Sequence, residues 1–133
     1  MNLHKLAVKT SRRTEMIDLT SEIEAVVAQS GVEEGLCCVY VPHTTAGVTI
    51  NENADPTVCR DIETVLETLI PWNGPYTHSE GNSAAHLKSS LMGCSQTLII
   101  EKGRLALGTW QGVYLAEFDG PRQRQVWVKI LEG

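Results

Sequence analysis

The short β-like segments after Gly93, and the gaps between them, most constrain how this chain can fold. Apolar or alternating runs of strand length recur at residues 97–100, 105–107, 113–118 and 126–131. The gaps hold turn residues and are too short for the crossover helix that joins two parallel strands. A doubly wound parallel sheet and a barrel of βα units are therefore excluded, and we expect antiparallel hairpins.

A first helix is predicted before Gly31. Ser21 and Glu24 have the S-x-x-E spacing of a capping box, and the apolar residues that follow have the spacing of one helix face. Gly31 suits the end of this helix because glycine adopts the left-handed conformation without steric cost.

Two further helices begin at recognisable caps. Asp55 and Pro56 form an N-cap and first-turn pair, and apolar residues keep helical spacing from there until Pro71. Asn82 can cap a third helix, which is expected to end at Gly93.

Upstream strands complete the set of elements. Residues 4–9 alternate between apolar and polar side chains, residues 36–41 form a continuous apolar run, and residues 48–50 resume strand character. The elements predict an α+β fold, a small and mostly antiparallel β-sandwich with about three short helices. Because 133 residues with 42% hydrophobic content can build one core and nothing marks a linker, we expect a single domain over residues 1–133.

Composition limits the possible partners and the compartment. The net charge is -5 and the basic residues are scattered, which disfavours binding to nucleic acid. No apolar run approaches the roughly 20 residues of a membrane span, and the amino terminus lacks a signal-peptide core. We expect a cytoplasmic protein, no membrane partner, and reduced cysteines because no CxxC pattern occurs.

Three of the four histidines lie in two polar segments. His43 directly follows a predicted buried strand, and His78 and His86 flank the predicted start of the third helix. Neutral imidazoles with a nearby carboxylate suit zinc or another first-row divalent ion. Each histidine could equally form an ordinary hydrogen bond to a loop carbonyl.

The same two segments carry carboxylates and hydroxyls. Glu52 and Glu80 have no evident structural duty, so each is a candidate general base or metal ligand, or else a solvated loop carboxylate. Thr44 and Thr45 could receive a phosphate together with the amide groups at a helix amino end, although threonines at a strand edge are also ordinary. Asp55 is most simply explained as an N-cap, and a catalytic role is the alternative.

Trp110 and Gln111 lie between two glycines, in the segment of residues 108–112. An indole and an amide placed together can stack on a planar ring and bond to its edge. A tryptophan that anchors a hairpin is the alternative.

An acidic residue interrupts an apolar strand face near the carboxyl end. Glu117 falls on the same face as Val113 and Leu115, so it is either a buried, partnered carboxylate or the mark of a solvated strand end. Arg122 could pair with Glu117 or Asp119, or could bind a phosphate through two hydrogen bonds.

Taken in order, these segments resemble the YjbQ family, also called the secondary thiamine-phosphate synthase family. The resemblance runs nearly end to end and is carried by residues 43–46, 50–52 with 55–56, 78–86, 108–111 and 117–122. It implies a small α+β sandwich that assembles as a homotrimer. It also implies weak thiamine-phosphate synthase activity, which joins hydroxymethylpyrimidine diphosphate to a thiazole phosphate with loss of diphosphate.

The reaction implied by the resemblance assigns roles to the candidate residues. A divalent metal ion, zinc or magnesium, would be held by His43, His78 and His86, with Glu52 or Glu80 as the catalytic carboxylate. The residues expected to contact the phosphates or the rings of the small phosphorylated substrates are Thr44, Thr45, Asn51, Asn82, Trp110, Gln111 and Arg122. Two other functions stay open: a metal-dependent hydrolase of a small phosphorylated molecule, and a non-enzymatic trimer that binds a small ligand.

Overall fold

The computed structural model describes residues 2–133, so Met1 of the predicted domain lies outside the described residues. This part of the chain forms eight strands and three helices. The strands are β1 (Leu3–Lys9), β2 (Glu15–Asp18), β3 (Glu34–Tyr40), β4 (Ala46–Glu52), β5 (Ser95–Glu101), β6 (Arg104–Leu105), β7 (Gln111–Glu117) and β8 (Gln123–Glu132). The helices are α1 (Thr20–Ser30), α2 (Pro56–Leu69) and α3 (Ser83–Met92).

The strands form two antiparallel sheets, which confirms the predicted α+β sandwich. One sheet has the order β1-β8-β3-β5-β6, and the other has the order β2-β7-β4. The main core joins both sheets to α1, because apolar side chains of all three elements are buried against one another. Val39 and Val126 come from the larger sheet, Val48 and Leu115 from the smaller one, and Ile23 from α1.

The expectation of hairpins holds for β5 and β6 but is wrong for β6 and β7, which lie in different sheets. It is also wrong for β7 and β8. These two strands are consecutive in the chain and lie in different sheets, as do β3 and β4. A gap of a few residues can close a hairpin, but it can also cross the roughly 10 Å between facing sheets. The crossings from β3 to β4 and from β7 to β8 both lie at the same end of the molecule, where the Phe118 N–H donates to the carbonyl of Thr45 at 3.2 Å.

The start of α1 differs from the predicted capping box. The N-cap position is Leu19, whose side chain cannot cap, and the Asp18 carboxylate instead accepts a hydrogen bond from the Thr20 N–H at 2.9 Å. The carboxylate at the end of β2, a strand that was not predicted, thus replaces the expected Ser21 cap. Gly31 ends the helix with a φ of 72°, as expected.

Helix α2 follows its prediction closely but buries little of its apolar face. The Asp55 carboxylate accepts a hydrogen bond from the Thr57 N–H at 2.9 Å, and Pro56 is the first helical residue. Val65 and Leu69 are 54% and 68% exposed. An apolar row on the larger sheet is similarly exposed, where Leu36 pairs with Ile99 on one side and Leu131 on the other.

The four cysteines are free thiols, as expected. Cys37 is buried while the adjacent Cys38 is partly exposed, because neighbouring strand residues point to opposite faces. Burial raises the pKa of the Cys37 thiol to about 12, so this thiol stays protonated and unreactive.

None of the helices in residues 2–133 has both the length and the apolar character needed to cross a membrane.

Candidate functional site

A cavity of about 450 Å³ lies at the end of the sandwich where both crossings occur. We call it the His–Arg cavity, and its lining comes from the crossing before β4, the start of α3 and the crossing before β8. It brings together eight of the predicted site residues, namely His43, Thr44, Thr45, His78, Glu80, Asn82, His86 and Arg122. The fold thus brings together the two polar segments that carry His43 and His78.

Four predicted site residues lie at the opposite end of the smaller sheet. Asn51 and Glu52 end β4, and Gln111 begins β7 directly after Trp110, with Glu52 paired to Gln111. A strand of this length spans about 20 Å, and β4 separates these residues from Thr45 at its other end. Trp110 is 61% exposed. Within one chain, the indole and Glu52 do not contribute to the His–Arg cavity.

A buried ion pair of Glu117 and Arg124 supports the back wall of the His–Arg cavity, which Arg124 lines. Glu117 is fully buried and accepts hydrogen bonds from Arg124 through both Nε, at 2.7 Å, and Nη2. It also accepts from the Thr10 hydroxyl at 2.8 Å and from the Asp119 N–H at 3.0 Å. Burial opposes ionisation of Glu117, but these hydrogen bonds outweigh it and lower the pKa of the carboxyl below its usual value.

Arg124 is a lining residue that the sequence analysis missed. Its Nη2 donates to the Thr45 hydroxyl at 2.8 Å and to the Thr45 carbonyl at 3.2 Å. A signal for it was available, because Arg124 shares the buried face of β8 with Val126, Val128 and Ile130. The predicted strand began at residue 126, so the arginine on this apolar face was left outside it.

His43 is held as a neutral ring with a defined tautomer. Its Nε2 accepts a hydrogen bond from the Gln125 N–H at 2.9 Å, so the proton of the neutral ring lies on Nδ1. Burial lowers the pKa of His43, and the positive charge of Arg124 lowers it further. As bound here, His43 offers an N–H donor to its surroundings rather than a free lone pair.

Asp119 connects the second arginine to the start of α3. Its carboxylate accepts hydrogen bonds from Arg122 Nη2 and from Asn82 Nδ2, both at 2.9 Å. Arg122 therefore pairs with Asp119, one of its two predicted partners, and not with Glu117. Asn82 occupies the N-cap position, but its side chain forms no capping hydrogen bond because Asp119 holds the amide.

The remaining polar side chains do not form a metal centre. His78 and His86 meet edge to face with ring centroids 5.2 Å apart, and His78 Nε2 lies 3.9 Å from a Glu80 carboxylate oxygen. In residues 2–133, no group of three histidine, cysteine or acidic side chains is arranged to hold an ion. Because His43 presents its N–H, the described residues do not fit a three-histidine site, and a bound zinc or magnesium ion stays a prediction.

The fold and the cavity together define a class: small α+β sandwich proteins with an imidazole- and guanidinium-lined cavity where the chain crosses between sheets. The chain belongs to the family described as UPF0047 protein YjbQ-like, whose model matches residues 4–133. This confirms the family that the sequence motifs indicated.

Relatives and solved structures agree with this assignment. A UPF0047 protein of Methanocaldococcus jannaschii is 57% identical over 97% of this chain and 94% of its own. The UPF0047 protein YugU of Bacillus subtilis is 52% identical over 97% and 98%. The crystal structure of a YjbQ/UPF0047 family protein from Clostridium acetobutylicum has a TM-score of 0.95 at 55% identity, covering 96% of this chain and 99% of that one. A hypothetical protein from Aeropyrum pernix also has a TM-score of 0.95, at 39% identity and with 100% of both chains covered.

Proposed function

We propose that the protein binds a small phosphorylated molecule in the His–Arg cavity and catalyses transfer of its organic group with departure of diphosphate. The observation that supports this proposal is the convergence of Arg122, Arg124 and the His43 N–H on one cavity. In residues 2–133, the hydrogen bonds of both guanidinium groups use Nε and Nη2. Nη1 of each arginine is therefore left to donate to a phosphate oxygen.

The particular reaction we propose is weak thiamine-phosphate synthesis. The bond between the pyrimidine methylene carbon and the diphosphate oxygen breaks, and its electron pair leaves with the diphosphate. The lone pair of the thiazole nitrogen forms the new C–N bond, so the step requires no proton transfer. The protein's task is then to stabilise charge in place rather than to supply a base.

The lining residues suit this division of charge. Arg122, Arg124 and the His43 N–H would take the negative charge that develops on the departing diphosphate. Glu80, which is exposed at the rim, would lie near the positive charge that develops at the methylene carbon as its bond to the diphosphate breaks. The lowered pKa of His43 favours the neutral ring, which offers its Nδ1–H as a donor to a phosphate oxygen.

A divalent ion, zinc or magnesium, would enter as the counter-ion of the diphosphate rather than as a resident group. This follows from the donor set, since the described part of the chain holds no group of three histidine, cysteine or acidic side chains arranged to bind an ion. None of the steps above depends on the ion.

We further propose that the protein works as a homotrimer in the cytoplasm. The exposed row of Leu36, Ile99 and Leu131 supports an association between copies, as do Val65 and Leu69 on α2. Large apolar side chains grouped on a surface in this way are typical of interfaces.

The test is thiamine-phosphate formation by tag-free protein supplied with both substrates and magnesium. Replacement of Arg122 by alanine should lower the rate about 100-fold, the effect of removing one charge-stabilising donor. The matched control is Arg12→Ala, because Arg12 is also an exposed arginine in an ion pair, with Glu63 at 3.4 Å. This control should stay within about twofold of the wild-type rate.

Three outcomes would contradict the proposal in different ways. Equal product from wild type and Arg122→Ala would mean that the synthesis is background. Release of phosphate without the coupled product would point to a hydrolase. Thermal stabilisation by the substrates without turnover would point to a binding protein.

A further inference from the structure

A second cavity of about 460 Å³ adjoins the His–Arg cavity across a shared wall. The wall consists of His43, Thr44 and His86, which line both cavities. The far side is formed by the end of α3 and the chain just after it, including Ser89 and Cys94. We call it the Ser89 cavity. Unlike its neighbour, it is lined by no arginine, lysine, aspartate or glutamate among residues 2–133.

Two buried polar atoms without a hydrogen-bond partner lie along α3, the helix that borders both cavities. In residues 2–133, the buried side-chain nitrogen and oxygen atoms without a hydrogen-bond partner are Asn82 Oδ1 and Ser89 Oγ. Both residues are 8% exposed. A buried polar atom without a partner is unfavourable, so each needs an explanation beyond packing.

The two atoms lie on one stripe along α3, with Asn82 at the N-cap position and Ser89 within the helix. Asn82, His86 and Ser89 follow one another at intervals of four and three residues, the spacing that places side chains on the same helix face. Asn82 lines the His–Arg cavity, Ser89 lines the Ser89 cavity, and His86 between them lines both. One extended ligand lying along this stripe would reach both orphaned atoms.

The orientation of Asn82 is fixed by chemistry. Its Nδ2 donates to the Asp119 carboxylate, which can only accept while ionised, so Oδ1 must be the acceptor that is left over. The Ser89 hydroxyl can either donate or accept. The stripe therefore offers the Asn82 Oδ1 acceptor to the His–Arg cavity and the Ser89 hydroxyl, which can donate or accept, to the Ser89 cavity.

We infer that the Ser89 cavity is a second binding subsite, which takes the uncharged heteroaromatic ring of a ligand whose phosphate groups lie in the His–Arg cavity. This inference rests on the proposed function, because it takes the phosphate position from there. The lining of the Ser89 cavity, which among the described residues holds no arginine, lysine, aspartate or glutamate, suits a neutral ring. The Ser89 hydroxyl supplies the one hydrogen bond that orients a ring nitrogen or ring substituent.

The test compares the binding of two probes, inorganic pyrophosphate and hydroxymethylpyrimidine diphosphate, by isothermal titration. The variant is Ser89→Ala, which removes the orphaned hydroxyl and keeps the helix. The control is Ser21→Ala, which removes an exposed hydroxyl from α1 and gives a similar gain in helix propensity.

Ser89→Ala should weaken binding of the pyrimidine diphosphate about fivefold, the loss of one hydrogen bond. Binding of pyrophosphate should be unchanged, because pyrophosphate occupies only the arginine side. The melting temperature of the free protein should rise by about 3 °C relative to Ser21→Ala, because a buried hydroxyl without a partner is removed. A structural role for the hydroxyl would instead lower the melting temperature and leave both affinities unchanged.

The outcomes separate this inference from the proposed function. If wild-type protein binds neither probe, the proposed function fails and the subsite fails with it. If pyrophosphate binds but the pyrimidine diphosphate binds no more tightly, the phosphate site stands and the ring subsite is overturned. Equal affinities of wild type and Ser89→Ala for the pyrimidine diphosphate would also overturn the subsite.

Discussion

The two ends of the smaller sheet differ sharply although the same two strands form both. At one end, Glu117 of β7 lies opposite Ala46 of β4, is fully buried, and accepts hydrogen bonds from four donor groups of Thr10, Asp119 and Arg124. At the other end, Glu52 pairs with Gln111, and the neighbouring Trp110 is exposed to solvent. Carboxylates of the same type thus have a fully buried, charge-paired environment at one end and a partly exposed one at the other.

This difference shows why polar residues close in sequence can belong to separate places. Thr45 and Glu52 are seven residues apart and look like one cluster, but an extended strand places them about 20 Å apart. Thr45 and Arg124 are far apart in sequence and yet share a hydrogen bond of 2.8 Å. The crossings between sheets, rather than nearness in sequence, bring the cavity residues together.

The largest expected effect comes from Glu117→Gln. This change leaves the buried guanidinium of Arg124 without its counter-charge, and the free energy of unfolding should fall by about 3–5 kcal/mol. Glu52→Gln, at the other end of the same sheet, should change it by less than about 0.5 kcal/mol. Urea denaturation of both variants measures the difference, and similar losses would show that the two ends are energetically alike.

A smaller loss is expected from Gly47→Ala. A Cβ at Gly47 would lie 2.7 Å from the Gly93 carbonyl oxygen and 2.9 Å from Met92 Cβ, so the end of α3 must move away from β4. We expect a loss of about 2 kcal/mol in the free energy of unfolding.

The matched change at the opposite end is Gly108→Ala, whose Cβ would have the end of the Gln111 side chain as its nearest neighbour, with Oε1 at 3.3 Å. That side chain can rotate away, at the cost of the 2.8 Å hydrogen bond that it accepts from the Gly108 N–H. Denaturation should therefore show a loss of about 1 kcal/mol or less for this variant. A larger loss than for Gly47→Ala would contradict the idea that the cavity end is the rigid one.

Acid should weaken the cavity end first. Because the pKa of Glu117 is below its ordinary value of 4.5, the unfolded chain binds more protons than the folded chain between the two values. The ionised carboxylate therefore contributes its full stability above the ordinary pKa, and this contribution is lost as the pH falls through the lowered one.

The check is the free energy of unfolding of wild type and Glu67→Gln from pH 6 to pH 3. Hydrogen bonding to Lys88 lowers the pKa of Glu67 as well, so this variant removes a second source of acid sensitivity. Most of the pH dependence should survive in Glu67→Gln. If it disappears, Glu67 and not Glu117 controls the acid response.

The smallest effect is expected from Trp110→Ala on turnover. Within one chain the indole lies at the far end from the His–Arg cavity, so the specificity constant for thiamine-phosphate formation should change by less than about twofold. A tenfold loss with unchanged stability would mean that the Trp110 end of one copy completes the cavity of another. Light scattering on the same sample would then show whether the trimer is intact.

Local signals were enough to predict much of the fold. Asp55 and Pro56 cap α2 as expected, Gly31 and Gly93 end their helices, and the alternation at residues 4–9 gives β1. Each of these features depends on contacts within a few residues, which the sequence displays directly.

The parts that were not predicted depend on partners distant in the chain. Asn82 has the residue type of a helix cap, but Asp119, 37 residues away, holds its amide instead. The pairing of Glu117 with Arg124 requires knowing that β7 and β8 lie in different sheets, which the length of the gap does not reveal. For the same reason, the sequence could name most of the cavity residues but not separate them from Glu52 and Trp110.

The pairing of Glu117 with Arg124 also has a consequence for how the protein could respond to a ligand. The pair joins β7 of one sheet to β8 of the other, and Thr10 and Thr45 bond to it from two further segments. The back wall of the cavity is therefore preorganised, and its dipoles need not reorient when negative charge arrives or departs. Adaptation to different ligands must then come from the rim, where His78 and Glu80 are exposed, and not from the ion pair that joins the two sheets.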